Sequence, residues 1–250
     1  MPNYRDASCI HHQKIVTGEH IQRGAHIIRN AHECIIAFAA PTAPVVKDKS
    51  VPTDIAYALR DAGWNALMFH YRGCWGSEGD YILAGIPDDV QAALDTLTSG
   101  GFPVDLNRIV TIGHGLGGWA AIVAASRDSR ICAIATLGGI SNLRTMSLSD
   151  QVAADYARFL RNISGRGIQS QWRALGATCN PVDLMDLLQG CPLLIVHGTA
   201  DEVAPVSQAK ELEAKAPAAE MVLMEGADHA FSQYRKQLVE NVVPWVIARS

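Results

Sequence analysis

The sequence predicts an α/β protein built on a mainly parallel sheet with helices on both faces. Short, continuous apolar runs alternate along the chain with longer segments of helical spacing, which is the pattern of repeated strand–helix units. The chain has 250 residues, enough for one large domain of this kind. We therefore expect a single domain over residues 1–250.

Composition and charge exclude several classes of protein. The hydrophobic fraction of 48% and the charged fraction of 18% are those of an ordinary globular protein. The formal net charge of −4 gives no reason to expect nucleic acid or an anionic membrane as a partner. The N-terminus is polar, and the six cysteines form no C-x-x-C pair. We therefore expect a cytoplasmic protein with reduced thiols.

The first part of the chain predicts a hairpin, two buried strands and two helices. The runs on either side of Gly18-Glu19 are typical of a hairpin, and Arg23-Gly24 is a second turn candidate. Asp54 can cap a helix, and Pro87 fits a first helical turn. The hairpin is predicted at 14–29, the strands at 34–39 and 64–71, and the helices at 54–61 and 88–98.

The second part of the chain continues the alternation of strands and helices. Its strands are predicted at 108–112, 131–137, 193–196 and 221–224, and its helices at 118–125, 205–215 and 231–248. Between them, residues 141–189 are more polar and carry only short helical patterns. We expect this stretch to form a small cap inserted within the domain.

Three segments at predicted strand ends carry the chemistry, because open α/β sheets place their sites at the carboxyl edge. Residues 113–117, Gly-His-Gly-Leu-Gly, join a strand to a helix in the way of a nucleophile elbow, G-x-S-x-G, but Gly115 stands where the serine belongs. Asp201 and His229 each follow a later strand. The order of elbow, acid and histidine is that of Ser-Asp-His triads on α/β sheets.

The loop 71–79, Tyr-Arg-Gly-Cys-Trp-Gly-Ser-Glu-Gly, is similar to the R-G-x-G-x-S-x-G segment that follows the fourth strand in esterase- and peptidase-like α/β-hydrolases. Together with the elbow and the order of the triad, this loop makes the chain resemble an α/β-hydrolase over nearly its whole length. The resemblance implies the α/β-hydrolase fold. It also implies that Asp201 is the orienting acid, that His229 is the general base and that Gly115 occupies the nucleophile position.

The resemblance implies an oxyanion hole as well. Leu116 matches the residue whose backbone N–H forms one half of it. The other half normally comes from the loop after the strand that ends near Ala39. Because Pro41 has no N–H to donate, Ala40 and Thr42 are the candidates for the second donor.

Candidate substrate-binding residues lie in the cap and beside the elbow. Tyr156, Phe159 and Trp172 are candidates for the lining of an apolar acyl pocket, and packing of the cap onto the sheet is the alternative role for them. His114, next to the elbow, is a further candidate for ligand contact. No metal or organic cofactor is implied, because the chain has no H-E-x-x-H, Cys/His cluster or complete phosphate loop.

Glycine at position 115 leaves three interpretations open. An elbow residue holds a strained backbone that costs a residue with a side chain about 1–3 kcal/mol, whereas glycine adopts it freely. Loss of the serine from such a triad lowers kcat roughly 10⁶-fold. The chain is therefore a Ser→Gly laboratory variant, a natural enzyme in which His229 activates a water or transfers a proton, or a non-catalytic binding module.

Because Asp201 and His229 are both present, the sequence favours an enzyme. We expect a hydrolase-like protein that acts on a carboxylic ester, a thioester or a related acyl compound. The expected partner is a small-molecule acyl substrate, with neither nucleic acid nor a membrane. A homodimer is left open.

Overall fold

The computed structural model describes residues 10–17, 20–28, 33–39, 51–74, 77–99 and 105–249, the first three ranges as backbone strands. Eight described strands form one sheet in the order β1-β2-β4-β3-β5-β6-β7-β8. The strands are β1 Ile10–Thr17, β2 His20–Ile28, β3 Glu33–Ala39, β4 Trp64–Phe69, β5 Ile109–His114, β6 Ile131–Leu137, β7 Leu193–Gly198 and β8 Glu220–Met224. From β4 to β8 every pairing is parallel, whereas β1 and β2 pair antiparallel at one edge.

Helices cover both faces of this sheet, which confirms the predicted fold class. The described helices are α1 Val51–Asp61, α2 Ile86–Ser99, α3 Leu116–Ala125, α4 Asp150–Ala157, α5 Gly165–Thr178, α6 Ser207–Lys215 and α7 Arg235–Ile247. One buried cluster contains the apolar side chains of α2 and α3, and a second contains those of α1 and α7. Every residue of α3 is buried, as expected for a helix that is apolar on all sides.

The first strands and helix refine the sequence-based expectations. β1 and β2 pair antiparallel, so the hairpin is confirmed, and the turn at Gly18-Glu19 lies outside the described residues. The second turn candidate, Arg23-Gly24, is wrong, because both residues lie within β2. Asp54 lies inside the first turn of α1 and not at its N-cap, because the helix begins at Val51. Its carboxylate instead accepts a hydrogen bond from Arg235 of α7 over 2.8 Å.

The chain leaves the sheet between β6 and β7, over residues 138–192, here called the inserted segment; it contains α4 and α5. The inserted segment is fixed to the sheet domain at both sides. Buried Gln208 of α6 accepts the backbone N–H groups of Ser141 and Asn142 at 2.9 and 2.8 Å. At the other side, Arg161 donates its N–H to the Gly73 carbonyl over 2.9 Å. These backbone contacts hold α4 and α5 above the carboxyl ends of the strands.

Within the described ranges, no helix combines the length and the apolar character that a membrane span requires.

Candidate active site

The turn between β5 and α3 is sharp, and its central residue, Gly115, has backbone angles that would strain a residue with a side chain. Gly115, between the end of β5 and the start of α3, has φ 57° and ψ −119°. Side chains of L-residues rarely accept a positive φ, and glycine has no Cβ to clash there. The Gly115 N–H donates to the Leu137 carbonyl at the end of β6 over 3.0 Å. Position 115 is therefore fixed at the carboxyl edge of the sheet.

Asp201 and His229, brought together from the loops after β7 and β8, form a buried pair. His229 Nδ1 lies 2.8 Å from Asp201 Oδ2. The second carboxylate oxygen, Oδ1, accepts the backbone N–H groups of Val203 and Ala204 at 2.9 and 2.8 Å. Because a carboxylate oxygen can only accept a hydrogen bond, Asp201 Oδ2 holds His229 with a proton on Nδ1.

The loop after β6 packs against this pair so closely that only a glycine fits at position 138. Gly138 follows β6 directly and has φ +53°. A Cβ at this position would lie 3.0 Å from Asp201 Oδ2 and 3.2 Å from His229 Nδ1. A side chain at position 138 would therefore be strained and would press on both members of the pair.

The other ring nitrogen of His229 is free to accept a proton. Nε2 of His229 is buried, and no described residue forms a hydrogen bond with it. In the neutral ring whose Nδ1–H donates to Asp201, Nε2 holds the lone pair. His229 also lines a cavity that reaches the first residue of α3, Leu116. A water or ligand in that cavity is the natural partner of Nε2.

His114 supports the backbone of His229 from the end of β5. Its Nε2 lies 2.8 Å from the His229 carbonyl oxygen, and the two rings are 4.4 Å apart between centroids. Burial, together with the neighbouring His229, lowers the pKa of His114 to about 3, so the ring is neutral and Nε2–H donates. His114 is not among the described residues that line the cavity. In the described structure its ring contacts His229.

A third histidine, His197 at the end of β7, was not singled out from the sequence. Its Nε2 donates to the Ala204 carbonyl over 2.8 Å and lies 3.5 Å from Asp201 Oδ2. Burial lowers the pKa of His197, so this ring is also neutral. The signal available in the sequence was a histidine that ends an apolar strand four residues before the acid. His197 closes the turn that presents the Asp201 carboxylate.

The cavity beside His229 has a volume of about 260 Å³, and the inserted segment supplies much of its described lining. Tyr156 and Trp172 both line it, and the Trp172 indole N–H donates to the Met146 carbonyl over 3.3 Å. Phe159 does not belong to the described lining, and its side chain is 38% exposed. Of the three aromatic candidates from the predicted cap, Tyr156 and Trp172 belong to the described lining.

The backbone N–H groups expected to form an oxyanion hole are described only in part. Leu116 is the first residue of α3 and lines the cavity. The first N–H groups of a helix have no acceptor within the helix, so the Leu116 N–H is available to a ligand oxygen. The two alternatives for the second donor, Ala40 and Thr42, lie outside the described residues.

The loop after β4 offers no activated nucleophile among its described residues. Burial raises the pKa of the Cys74 thiol, and Asp89 raises it further, so the thiolate is not formed near neutral pH. Ser77 is fully buried and donates its hydroxyl to the His70 carbonyl over 3.2 Å. In the described part of the chain no group of His, Cys, Asp and Glu side chains is arranged to hold a metal ion.

Sequence comparison finds relatives over most of the chain. The Escherichia coli K12 protein YfhR is 28% identical over 194 residues, which cover 74% of this chain and 62% of YfhR. The α/β hydrolase domain-containing protein WAV2 of Arabidopsis thaliana is 30% identical over 163 residues, which cover 62% of this chain and 49% of WAV2. The chain thus spans less than two thirds of the length of these relatives.

Structure comparison finds the same fold in solved proteins. The esterase domain from a Rhodothermus marinus protein superposes with a TM-score of 0.68 at 19% identity, covering 96% of this chain and 98% of that one. The α/β hydrolase GrgF from Penicillium sp. sh18 gives a TM-score of 0.73 at 14% identity, covering 96% and 97%. At such low identity the likeness shows the fold alone.

The profile of the peptidase S9 family, described as the prolyl oligopeptidase family, matches residues 54–248. The match includes β4 to β8 and all the described helices from α2 to α7. This chain is a member of the prolyl oligopeptidase family and has the hydrolase-like α/β fold of esterases and peptidases.

Proposed function

We propose that the chain hydrolyses a carboxylic ester, a thioester or a related acyl compound, with a water molecule as the nucleophile and His229 as the general base. The observation that carries this proposal is the pairing state of His229. Its Nδ1 is bonded to Asp201, whereas its buried Nε2 has no partner among the described residues and belongs to a ring that lines the cavity. A histidine with one ring nitrogen bonded to a carboxylate and the other unpaired can act as the general base that takes a proton from a water.

The absence of a side chain at position 115 supports a water in place of the serine hydroxyl. One water occupies about 30 Å³ in the liquid, and Gly115 lacks the hydroxymethyl group that a serine would place at this turn. A buried water also needs polar partners. His229 Nε2 supplies one, and the reacting carbonyl supplies a second contact when substrate is bound.

The proposed reaction balances with these groups alone. His229 Nε2 takes a proton from the water, and the water oxygen forms a bond to the carbonyl carbon. The Leu116 N–H stabilises the negative oxygen of the tetrahedral intermediate. The bond from carbon to the leaving oxygen or sulfur then breaks, and that atom takes the proton from His229 Nε2. Asp201 stays ionised throughout and stabilises the imidazolium. The products are a carboxylic acid and an alcohol or thiol.

The inserted segment acts as the cap of the proposed enzyme. Side chains from the inserted segment line the cavity around Tyr156 and Trp172, and most of the described lining is apolar. An apolar cavity binds the hydrocarbon part of an acyl group, and a bound acyl group that displaces solvent from it strengthens the electrostatic contacts at the carbonyl. The proposed substrate therefore has an acyl group larger than acetyl.

A second candidate is a binding module that holds the same compounds without turning them over. The lack of a nucleophile at Gly115 favours it, since glycine relieves the strain of the elbow whether or not catalysis occurs. In this case the Asp201–His229 pair is retained for structure alone.

Hydrolysis of a panel of short- and medium-chain acyl esters and thioesters separates the candidates. We expect steady turnover by the chain with Gly115, without a burst of leaving group, because no acyl-enzyme forms. If only the Gly115→Ser variant turns over, with a burst of leaving group, hydrolysis by a His229-activated water would be refuted. The chain would then be a serine hydrolase that lacks only its nucleophile. If neither protein acts on any member of the panel although both bind the product acids, the binding module is the better account.

A further inference from the structure

The cavity has two chemically different sides, set by the order of the strands. In the sheet, β4 and β8 lie on opposite sides of β5. Tyr71 follows β4, Leu116 follows β5 and His229 follows β8, and all three line the cavity. A ligand whose carbonyl is held at Leu116 therefore has Tyr71 on one side and His229 on the other.

The side next to β4 is built from phenols, here called the tyrosine wall: Tyr71, Tyr81 and Tyr156. Tyr71 is fully buried, and no described residue bonds to its Oη. The hydroxyl stays protonated, because burial raises the pKa of Tyr71 well above its ordinary value and Cys74 raises it further. Burial and the neighbouring Cys74 and Tyr156 likewise raise the pKa of Tyr81. The wall is thus uncharged, flat and able to donate hydrogen bonds.

The side next to His229 is open to solvent at Glu202 and Val203, which lie in the loop after β7 and are here called the mouth. Both are exposed, and Val203 has 45% of its surface accessible. They directly follow Asp201, which is bonded to His229. Tyr71 and Tyr81, in contrast, are 0% and 7% exposed. The lining at Tyr71 and Tyr81 is therefore closed and aromatic, whereas it is exposed at Glu202 and Val203 and also at Ser147 and Val152 of the inserted segment.

Proton transfer decides which part of a substrate lies at which end. In the function proposed above, the leaving oxygen or sulfur takes its proton from His229 Nε2, so it must lie on the side of the mouth. The acyl group then extends to the tyrosine wall. Flat aromatic side chains pack best against another ring in offset or edge-on arrangements. A buried hydroxyl without a partner is unfavourable unless a ligand supplies one.

We propose that the tyrosine wall selects an aromatic acyl group that carries a hydrogen-bonding oxygen at its far end, bonded by Tyr71 Oη, while the leaving group extends through the mouth and is not selected. This proposal rests on the function proposed above for the direction in which the ligand lies. It assigns Tyr71 a role in specificity, because its hydroxyl touches the acyl group and not the reacting carbonyl.

Binding of free acids tests the proposal without the need for turnover. The probes are 3-(4-hydroxyphenyl)propanoate, 3-phenylpropanoate and octanoate, titrated into the full chain by calorimetry, with tryptophan fluorescence as a second readout because Trp172 lines the cavity. We expect the hydroxyphenyl acid to bind about tenfold more tightly than the phenyl acid, as one added hydrogen bond gives. Octanoate, which is flexible and has no far oxygen, should bind more weakly than either aromatic acid.

The Tyr71→Phe variant removes only the hydroxyl. It should bind the two aromatic acids equally, while its melting temperature stays the same or rises, because the hydroxyl has no described partner to lose. Tyr57→Phe, a matched change on α1 next to Arg60, should keep the tenfold preference. A preference for octanoate, or a hydroxyphenyl preference that survives in Tyr71→Phe, would overturn the proposal.

Turnover distinguishes this proposal from the function on which it rests. If the acids bind in the expected order but no ester is hydrolysed, the tyrosine wall stands and the catalytic proposal fails. If esters are hydrolysed but aliphatic acyl groups are preferred in both binding and rate, the tyrosine wall is refuted alone. A series of leaving groups on one aromatic acid should change kcat/KM only as their chemical reactivity does.

Discussion

His114 Nε2 donates a hydrogen bond to the backbone carbonyl of His229 over 2.8 Å, although the two residues are separated by 115 positions in the chain. His114 immediately precedes Gly115, so this bond joins the turn after β5 to the loop after β8. The nucleophile position and the proposed base therefore hold each other in place. The ring that joins them is neutral, because its pKa lies at about 3.

Replacement of His114 tests this connection. His114→Gln keeps an N–H donor, whereas His114→Leu leaves the buried His229 carbonyl without its partner. We expect the leucine variant to lose about 1–3 kcal/mol of unfolding free energy and to hydrolyse esters about tenfold more slowly, since His229 is less well placed. The glutamine variant should stay closer to the parent in both unfolding free energy and rate of ester hydrolysis. Denaturant unfolding and initial rates measure the two effects, and equal losses in both variants would argue against a role for the bond.

The same ring predicts how stability depends on pH. In the unfolded chain His114 titrates near its ordinary pKa of 6.5, and in the folded chain only near 3. Below pH 6.5 the unfolded state therefore takes up a proton that the folded state does not. Stability should be full above that pH and fall as the pH drops, by up to about 1.4 kcal/mol per pH unit for this group. His197, whose pKa is also lowered, adds to the fall in the same direction.

Unfolding measured between about pH 4 and pH 6 checks this dependence. The His114→Gln variant cannot take up the proton and should show a clearly shallower slope than the parent. An identical slope in both proteins would show that His114 titrates normally in the folded chain.

Gly115→Ser should lower the stability of the chain. The backbone at this position, φ 57° and ψ −119°, costs a residue with a side chain about 1–3 kcal/mol. Thermal unfolding of the two proteins gives the difference. Gly190→Ser is the matched comparison: a Cβ there would meet nothing within 4 Å, but Gly190 also has a positive φ of +87°, so this variant should lose stability through backbone strain alone. If Gly115→Ser were as stable as the parent, the elbow would not be strained.

Asp201→Asn should reduce hydrolysis about 10²–10⁴-fold with a small effect on folding. The amide can still accept the Val203 and Ala204 N–H groups on its oxygen, but it no longer provides a carboxylate for His229 Nδ1. Asp61→Asn is the matched control, because Asp61 is an exposed carboxylate paired with Arg60 on α1. This variant should hydrolyse esters at the parent rate. Wild-type rates in Asp201→Asn would remove Asp201 from the mechanism.

The elements of the fold were predictable because their signals are local. The apolar runs that became β5, β6 and β7 are continuous, as strands covered on both faces must be. The ends of strands were less well predicted where they depend on the position of a turn. Arg23-Gly24 has turn chemistry but lies within β2, between Gln22 and Ala25, which both pair with β1, and the register of that pairing shifts there.

The site was predictable only as far as residue type and order along the chain allow. Asp201 and His229 follow strand ends, and strand ends of a parallel sheet meet at one edge. His197 contacts Asp201 and Ala204, only four and seven positions further along the chain, whereas the role of His114 depends on a contact with His229, 115 positions away, which no local pattern encodes. For the same reason the sequence could not tell that Phe159 faces outward while Tyr156 and Trp172 line the cavity.

Ester hydrolysis by the chain with Gly115 and by its His229→Ala variant, measured under the same conditions with the best substrate of the panel, tests the role of His229 directly. We expect steady turnover by the parent and a loss of about 10²–10⁴-fold in the variant, with unfolding that remains cooperative in both. Equal rates in the two proteins, or a parent rate no greater than that of buffer, would contradict the claim that His229 activates the attacking water.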